Sequence, residues 1–150
     1  MTLGGLLSSP PAIVAAGVDV FSDALRAQGH VVIDFGDDAL TVGRAHPMID
    51  PTLRLEAIDR LAGSGEPAVL LLDVVLGHGA DPDPAAALVP ALTAARARTA
   101  LPVVVALIGT EADPQGWSRQ ADALAAAGCA VFASNAAATR FALDLLGAAA

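Results

Sequence analysis

The sequence predicts an α/β protein built on a doubly wound parallel sheet. Three observations predict it. Five short apolar runs are each followed by a segment with helical spacing, no tight hairpin signal joins any two of them, and one run, AVLLLDVVL over 68–76, is apolar almost without a break. Strands separated by helices need crossover connections. These are right-handed within one sheet, so helices come to lie on its faces. A strand covered on both faces reads as a continuous apolar run.

The elements follow in order. PAIVAA, 11–16, is a short buried strand, and Val18, Phe21 and Leu25 then recur at helical spacing up to Gly29, a helix-stop signal. HVVIDF, 30–35, is the second strand, followed by a long polar connection, GDDALTVGRAHPMIDP, from Gly36 to Pro51. Residues 51–62 are helical, with Leu53, Ala57, Ile58 and Leu61 on one side and Gly63 as the stop. After the third strand, 68–76, a helix runs over 84–98, where Pro90 should kink it. LPVVVALIG, 101–109, is the fourth strand and 115–127 an Ala-rich helix closed by Gly128. CAVFAS, 129–134, is the fifth strand and 136–146 the last helix. The expected arrangement is a single domain over 1–150. It has three layers and a flavodoxin-like, Rossmann-like strand order of 2-1-3-4-5.

The helix starts share one device. Asp50-Pro51, Asp83-Pro84 and Asp113-Pro114 each precede a helix. Aspartate accepts hydrogen bonds from the free amides, and proline at the first helical position sacrifices no bond. These three carboxylates are therefore read as caps.

Composition narrows the function. A hydrophobic fraction of 55% leans on 35 alanines, which favours close helix packing over a bulky core. All eight basic residues are arginine, which excludes a P-loop lysine, a Schiff-base lysine and the usual two-component receiver site. A net charge of −8 argues against nucleic acid, whose affinity comes from cations on phosphates, and against anionic membrane. The single Cys129 excludes an internal disulfide and a multi-cysteine metal site. No apolar run approaches the roughly 20 residues that span a bilayer, and the first residues lack signal-peptide character. A cytoplasmic protein is expected.

In an open parallel sheet, ligands bind beyond the carboxyl ends of the strands. That edge carries Gly17, Gly36-Asp37-Asp38, Gly77-His78-Gly79, Gly109-Thr110-Glu111 and Ser134-Asn135. Glycine ends four of the five strands and lets backbone approach a ligand, while helix N-termini offer free amides to an anion. The 36–51 connection opens on the same edge, and structureless connections of that length are usually functional. Arg44 can grip a carboxylate or phosphate with two parallel bonds, and His46 can donate a proton or a hydrogen bond. The same spacing fits Arg44 pairing with Asp37 or Asp38, and His46 bonding to backbone. His78, between two glycines, fits either acid–base or phosphoryl chemistry or a solvated loop. Asp37 and Asp38 with Asp34 or Asp73 could hold a hard cation, but Gly-Asp-Asp is ordinary turn chemistry, and no metal is assigned. His30 is read as structural, Cys129 as buried and inert, and Trp117 as core or interface. A cobalamin-binding reading fails because GVDVFSD has no histidine where the cobalt ligand should stand. A flavodoxin reading fails for want of a hydroxyl-rich phosphate loop and of aromatics to cover flavin.

GHVVIDFGDDALTVGRAHPMIDPTLR, LLLDVVLGHGADPDPAAALVPAL and GTEADPQGWSRQADALAAAGCAVFASNAAA resemble the carboxyl-terminal part of FdrA proteins. These are acyl-CoA synthetase relatives of succinyl-CoA synthetase. The resemblance covers about Gly29 to Ala138. Arg44, His46, Gly77, Gly79, Gly109, Thr110, Glu111, Ser134 and Asn135 fall on the pattern. It implies a ligase domain of the succinyl-CoA synthetase carboxyl-terminal type, acting on a phosphate, carbamoyl phosphate or CoA ester. It also implies a place in purine catabolism through carbamoyl transfer. FdrA proteins are longer and carry a CoA-binding-like portion ahead of this region, so the implied catalysis is completed by other subunits of an FdrA-type complex or by a homo-oligomer. The opening GLLSSPPAIVAAGVDVFSDALRAQG is closer to the partner subunit that accompanies FdrA. Histidine stands at 78 where the family pattern has an aromatic residue, so a phosphohistidine role is not carried over to His78. The alternative is a non-catalytic small-ligand-binding or assembly module that kept the ligase fold.

Overall fold

The computed structural model describes residues 12–14, 30–64 and 68–148. The chain divides into two compact units, Met1–Ala57 and Ile58–Ala150. Each is described by itself.

In the first unit, β1 (Ala12–Val14) pairs in parallel with β2 (Val31–Ile33), Ala12 opposite Val31 and Val14 opposite Ile33. The helix expected around Val18 to Leu25 lies outside the described residues. The 36–51 connection is not structureless, which corrects the sequence reading. The Asp34 carboxylate accepts the Gly36 N–H at 2.9 Å, an aspartate turn that reverses the chain after β2. One helical turn follows, α1 (Asp38–Thr41). It is steadied by the Thr41 hydroxyl donating to Asp37 O and anchored by Leu40, 4% exposed. Gly43, at φ +74°, ends the turn, and the carbonyl of His46 accepts the amides of Ile49 and Asp50. Four backbone turns in sequence satisfy groups that a loop would leave to water. α2 (Thr52–Ser64) then begins.

The second unit is a parallel sheet of order β3-β4-β5: β3 (Leu70–Val75), β4 (Val103–Ile108) and β5 (Ala130–Phe132). Leu70 faces Val103, and Val104 faces Ala130. Three helices accompany it: α3 (Pro84–Arg98), α4 (Trp117–Ala126) and α5 (Asn135–Ala148). β4 is buried from Val103 to Leu107, as its unbroken apolar run requires. Its even positions, Val104 and Ala106, pack with Ala138 and Ala142 of α5. Val103, Val105 and Leu107 point to the opposite face, where Leu88, Leu92 and Ala95 of α3 and Leu124 of α4 are also buried. The alanines let α5 approach closely, and Phe132 and Phe141, 5.2 Å between ring centres, close one end.

β3 departs from expectation. Leu72 and Val74 are buried, while Leu71, Asp73 and Val75 are exposed. Its run is therefore covered on one face only in this unit, where β3 is also a terminal strand. α3 runs without interruption through Pro90. α4 starts at Trp117, two residues later than expected. It ends as Gly128 predicts, with the Gly128 amide on Ala125 O and the Cys129 amide on Leu124 O, the paired bonds of a glycine helix stop.

Candidate functional site

Parallel strands in register bring the carboxyl ends of β3, β4 and β5 to one edge. There the second unit gathers Gly77, His78, Gly79, Gly109, Thr110, Glu111, Ser134 and Asn135. The backbone is unusual at three of these. Gly77, Gly79 and Gly109 have φ of +151°, +83° and +155°, a region that favours glycine. At Gly109 a Cβ would stand 2.7 Å from Leu76 Cβ and 3.0 Å from Asp113 Oδ2, so side-chain-free backbone is required where β4 leaves the sheet.

The polar side chains of this edge serve their own loops. Asp113 does not cap α4, contrary to the sequence reading. Its Oδ2 accepts the Thr110 amide at 2.6 Å and the Thr110 hydroxyl at 3.2 Å, closing a four-residue turn. Gly116, at φ +67°, is the cap position and offers no side chain, so the capping acceptor comes from Glu111, whose Oε2 takes the Ser118 amide at 2.8 Å. The bonds from Ser118 amide and hydroxyl hold the Glu111 carboxyl below its usual range, against a small opposing effect of burial. Asn135 donates to Asp73 Oδ1 at 2.7 Å, and the Ser134 hydroxyl accepts the Ala137 amide at 3.4 Å. Trp117 donates its indole N–H to Leu107 O at 3.0 Å, an anchor to the sheet. His78 is exposed.

Sequence reasoning missed the residues that hold this edge together. Gln115 and Gln120 are 2% and 1% exposed. Gln115 donates to Gly77 O and Asp81 O, both at 2.9 Å, and accepts the Gly77 amide at 3.2 Å. Gln120 accepts the Ala85 amide at 2.8 Å and donates to Asp83 Oδ1 at 2.9 Å. Asp83 also accepts the Ala86 amide at 3.4 Å, as a cap should, and pairs with Arg119 at 2.7 Å. Its carboxyl is held below the usual range, first by Gln120, with burial opposing and Arg119 and Ala86 adding. The available signal was DPQGWSRQ itself: two glutamines five apart around a tryptophan, at a loop-to-helix junction facing DPDP.

The first unit carries the other predicted residues. A shallow crevice is lined by Phe35, Leu40, Arg44, Pro47, Asp50 and Leu53, among others. Among the described residues, Arg44 makes no side-chain hydrogen bond or ion pair, and no bond joins it to Asp37 or Asp38. Asp50 Oδ1 accepts the Thr52 hydroxyl at 2.5 Å and the Thr52 amide at 3.0 Å. Those bonds lower its pKa, with burial opposing and the Arg44 charge contributing least. His46 Nδ1 accepts the Met48 amide at 3.2 Å, so the neutral ring carries its proton on Nε2. That nitrogen lies beside Gly36, where a Cβ would stand 3.1 Å from it and 3.2 Å from Asp34 Oδ1. His30 is exposed. Cys129 is buried, and burial raises its thiol pKa against the opposing charge of Arg96. Among the described residues, no three His, Cys, Asp or Glu side chains gather as a metal site. None of the described helices is long and apolar enough to cross a membrane.

A parallel sheet with flanking helices and glycine-turned strand exits is consistent with a CoA-ligase domain. The CoA-ligase family model matches residues 9–145, and the chain belongs to that family. Over 118 residues it is 35% identical to YahF of Escherichia coli (strain K12), described as an uncharacterized protein. The alignment covers 75% of this chain and 23% of YahF, so the chain spans under a quarter of that relative's length.

Proposed function

We propose that the chain is the ligase-type domain of an FdrA-like acyl-CoA synthetase or carbamoyltransferase-type complex. It binds a phosphate, an acyl phosphate such as carbamoyl phosphate, a CoA ester or a small carboxylate at the carboxyl edge of its sheet. In this reading residues 1–150 form one domain, a continuous five-stranded flavodoxin-like sheet of order 2-1-3-4-5. Other subunits or further copies complete the catalysis, in the cytoplasm. Family membership supports the ligase class. The observation that carries the ligand reading is Arg44, a cation with no bonded partner among the described residues, in a chain whose Glu111 and Asp113 carboxylates are occupied by their own turns. Arginine supplies two parallel donors to an oxyanion, and preorganised amides stabilise charge in a water-poor site.

Titration calorimetry of the wild type and Arg44→Ala against inorganic phosphate, carbamoyl phosphate and a CoA ester tests this. A charge-assisted contact is worth about 1.5–3 kcal/mol, so the ligand that binds should weaken by roughly 10- to 100-fold. Equal affinity for every bound ligand in Arg44→Ala removes the arginine claim.

A second reading is a small-ligand or assembly module without turnover. The internal use of Glu111, Asp113 and the His46 Nδ1 favours it, because none of the three is poised for proton transfer. Light scattering and turnover assays with and without candidate partner subunits separate the two. A chain that binds ligand but neither assembles nor turns over supports the binding module.

A further inference from the structure

We propose that Gln115 is a positioning residue for the loop Gly77–Asp81, fixing the amides of His78 and Gly79 toward a ligand at the sheet edge. The proposal rests on the reading of that edge as an anion site. Glycines at 77 and 79 hold φ of +151° and +83°, but glycine also has the most freedom to leave any conformation. Local preference alone does not fix this loop. Gln115 does so from below. Its carbonyl takes the Gly77 amide, and its two amide hydrogens go to Gly77 O and Asp81 O. The side chain thus stands in for the neighbouring strand that β3 has lost at Gly77, and it ties both ends of the loop. At 2% exposure those bonds compete little with water, so the restraint is firm. The amides of His78 and Gly79 are then left without a partner among the described residues.

Gln120 is the internal comparator. It is as deeply buried and bonds through both its carbonyl and its amide, but it acts on Ala85 and Asp83 at the start of α3, beyond the loop. Both glutamines support stability, and only Gln115 should govern the loop.

The test uses the full chain, amide exchange by NMR and titration with inorganic phosphate. Gln115→Leu should speed exchange at the Gly77 amide, which Gln115 bonds, by about tenfold or more and weaken phosphate by a similar factor. Gln120→Leu should lower the urea midpoint and leave both readouts near wild type. Gln115→Glu keeps the acceptor and loses both donors at neutral pH. Burial raises the pKa of such a carboxyl. As pH falls and it protonates, one donor returns, and affinity relative to wild type at the same pH should recover. Wild-type exchange and affinity in Gln115→Leu overturn the proposal, as does an equal loss of affinity in Gln120→Leu. If Gln115→Leu does not fold, Gln115→Glu and its pH-dependent recovery decide. A wild type that shows no phosphate response overturns the anion reading of the edge instead, and the exchange rates alone then judge Gln115.

Discussion

Asp83 shows what a single side chain does here. One carboxylate accepts from Gln120, Arg119 and the Ala86 amide, joining the start of α3 to α4. Asp83→Ala removes the cap and leaves the buried Gln120 amide short of an acceptor, so it should cost about 1–2 kcal/mol at neutral pH, read as a lower urea midpoint. The pH dependence has a definite sign. The folded-state pKa values of Asp83, Asp50 and Glu111 are lowered from 3.8, 3.8 and 4.5. Their contribution is complete above those ordinary values and is lost as pH falls through the lowered ones. Wild-type stability should therefore hold from neutrality to about pH 5 and fall below it. The difference between wild type and Asp83→Ala should shrink by pH 3. A difference that grows on acidification would contradict this assignment of the bonds.

Elements were legible in the sequence where period and punctuation agreed. Residues 84–98 were marked by Asp83-Pro84 and by a helical stripe, and the helix occupies that span. Gly128 marked the end of α4 through its left-handed φ. The start of α4 was misplaced because Asp113-Pro114 imitates a cap, whereas Asp113 bonds back to Thr110 and Glu111 caps from outside the motif. Proximity in sequence could not reveal a cap seven residues away. Nor could it reveal that Gln115 reaches Gly77, 38 positions back. Glycine at 109 was legible, but its reason was not: Leu76 closes the space above it. Gly109→Ala meets both a forbidden φ and that contact, and it should cost about 1–3 kcal/mol. Gly43→Ala meets only the φ, with nothing within 4 Å, and should cost less. Paired urea denaturation of the two variants checks the order, and the reverse order would mean that the exit of β4 relaxes freely.

Over the whole molecule, charge sets a condition on any anionic ligand. The chain carries 16 acidic and 8 basic residues, a net charge of −8. Among the described residues, Arg98 and Arg119 pair with Asp59 and Asp83, and the excess of acidic residues leaves the long-range field negative while Arg44 attracts only at short range. Salt screens the distant repulsion most, because the Debye length shrinks from about 30 Å at 0.01 M to about 8 Å at 0.15 M. A contact at hydrogen-bond distance is screened far less. Association of phosphate or carbamoyl phosphate should therefore quicken as ionic strength rises over that interval, the opposite of a basic phosphate-binding protein, where steering accelerates encounter at low salt. Stopped-flow measurements with a fluorescent reporter at the two ionic strengths read the sign directly. A rate that falls steeply with salt would place a local basic field at the ligand site. Arg44→Ala should lower affinity at both ionic strengths and leave that salt slope nearly unchanged. A slope that disappears with the arginine would show that a single side chain, rather than the net charge of the chain, governs the approach of the ligand.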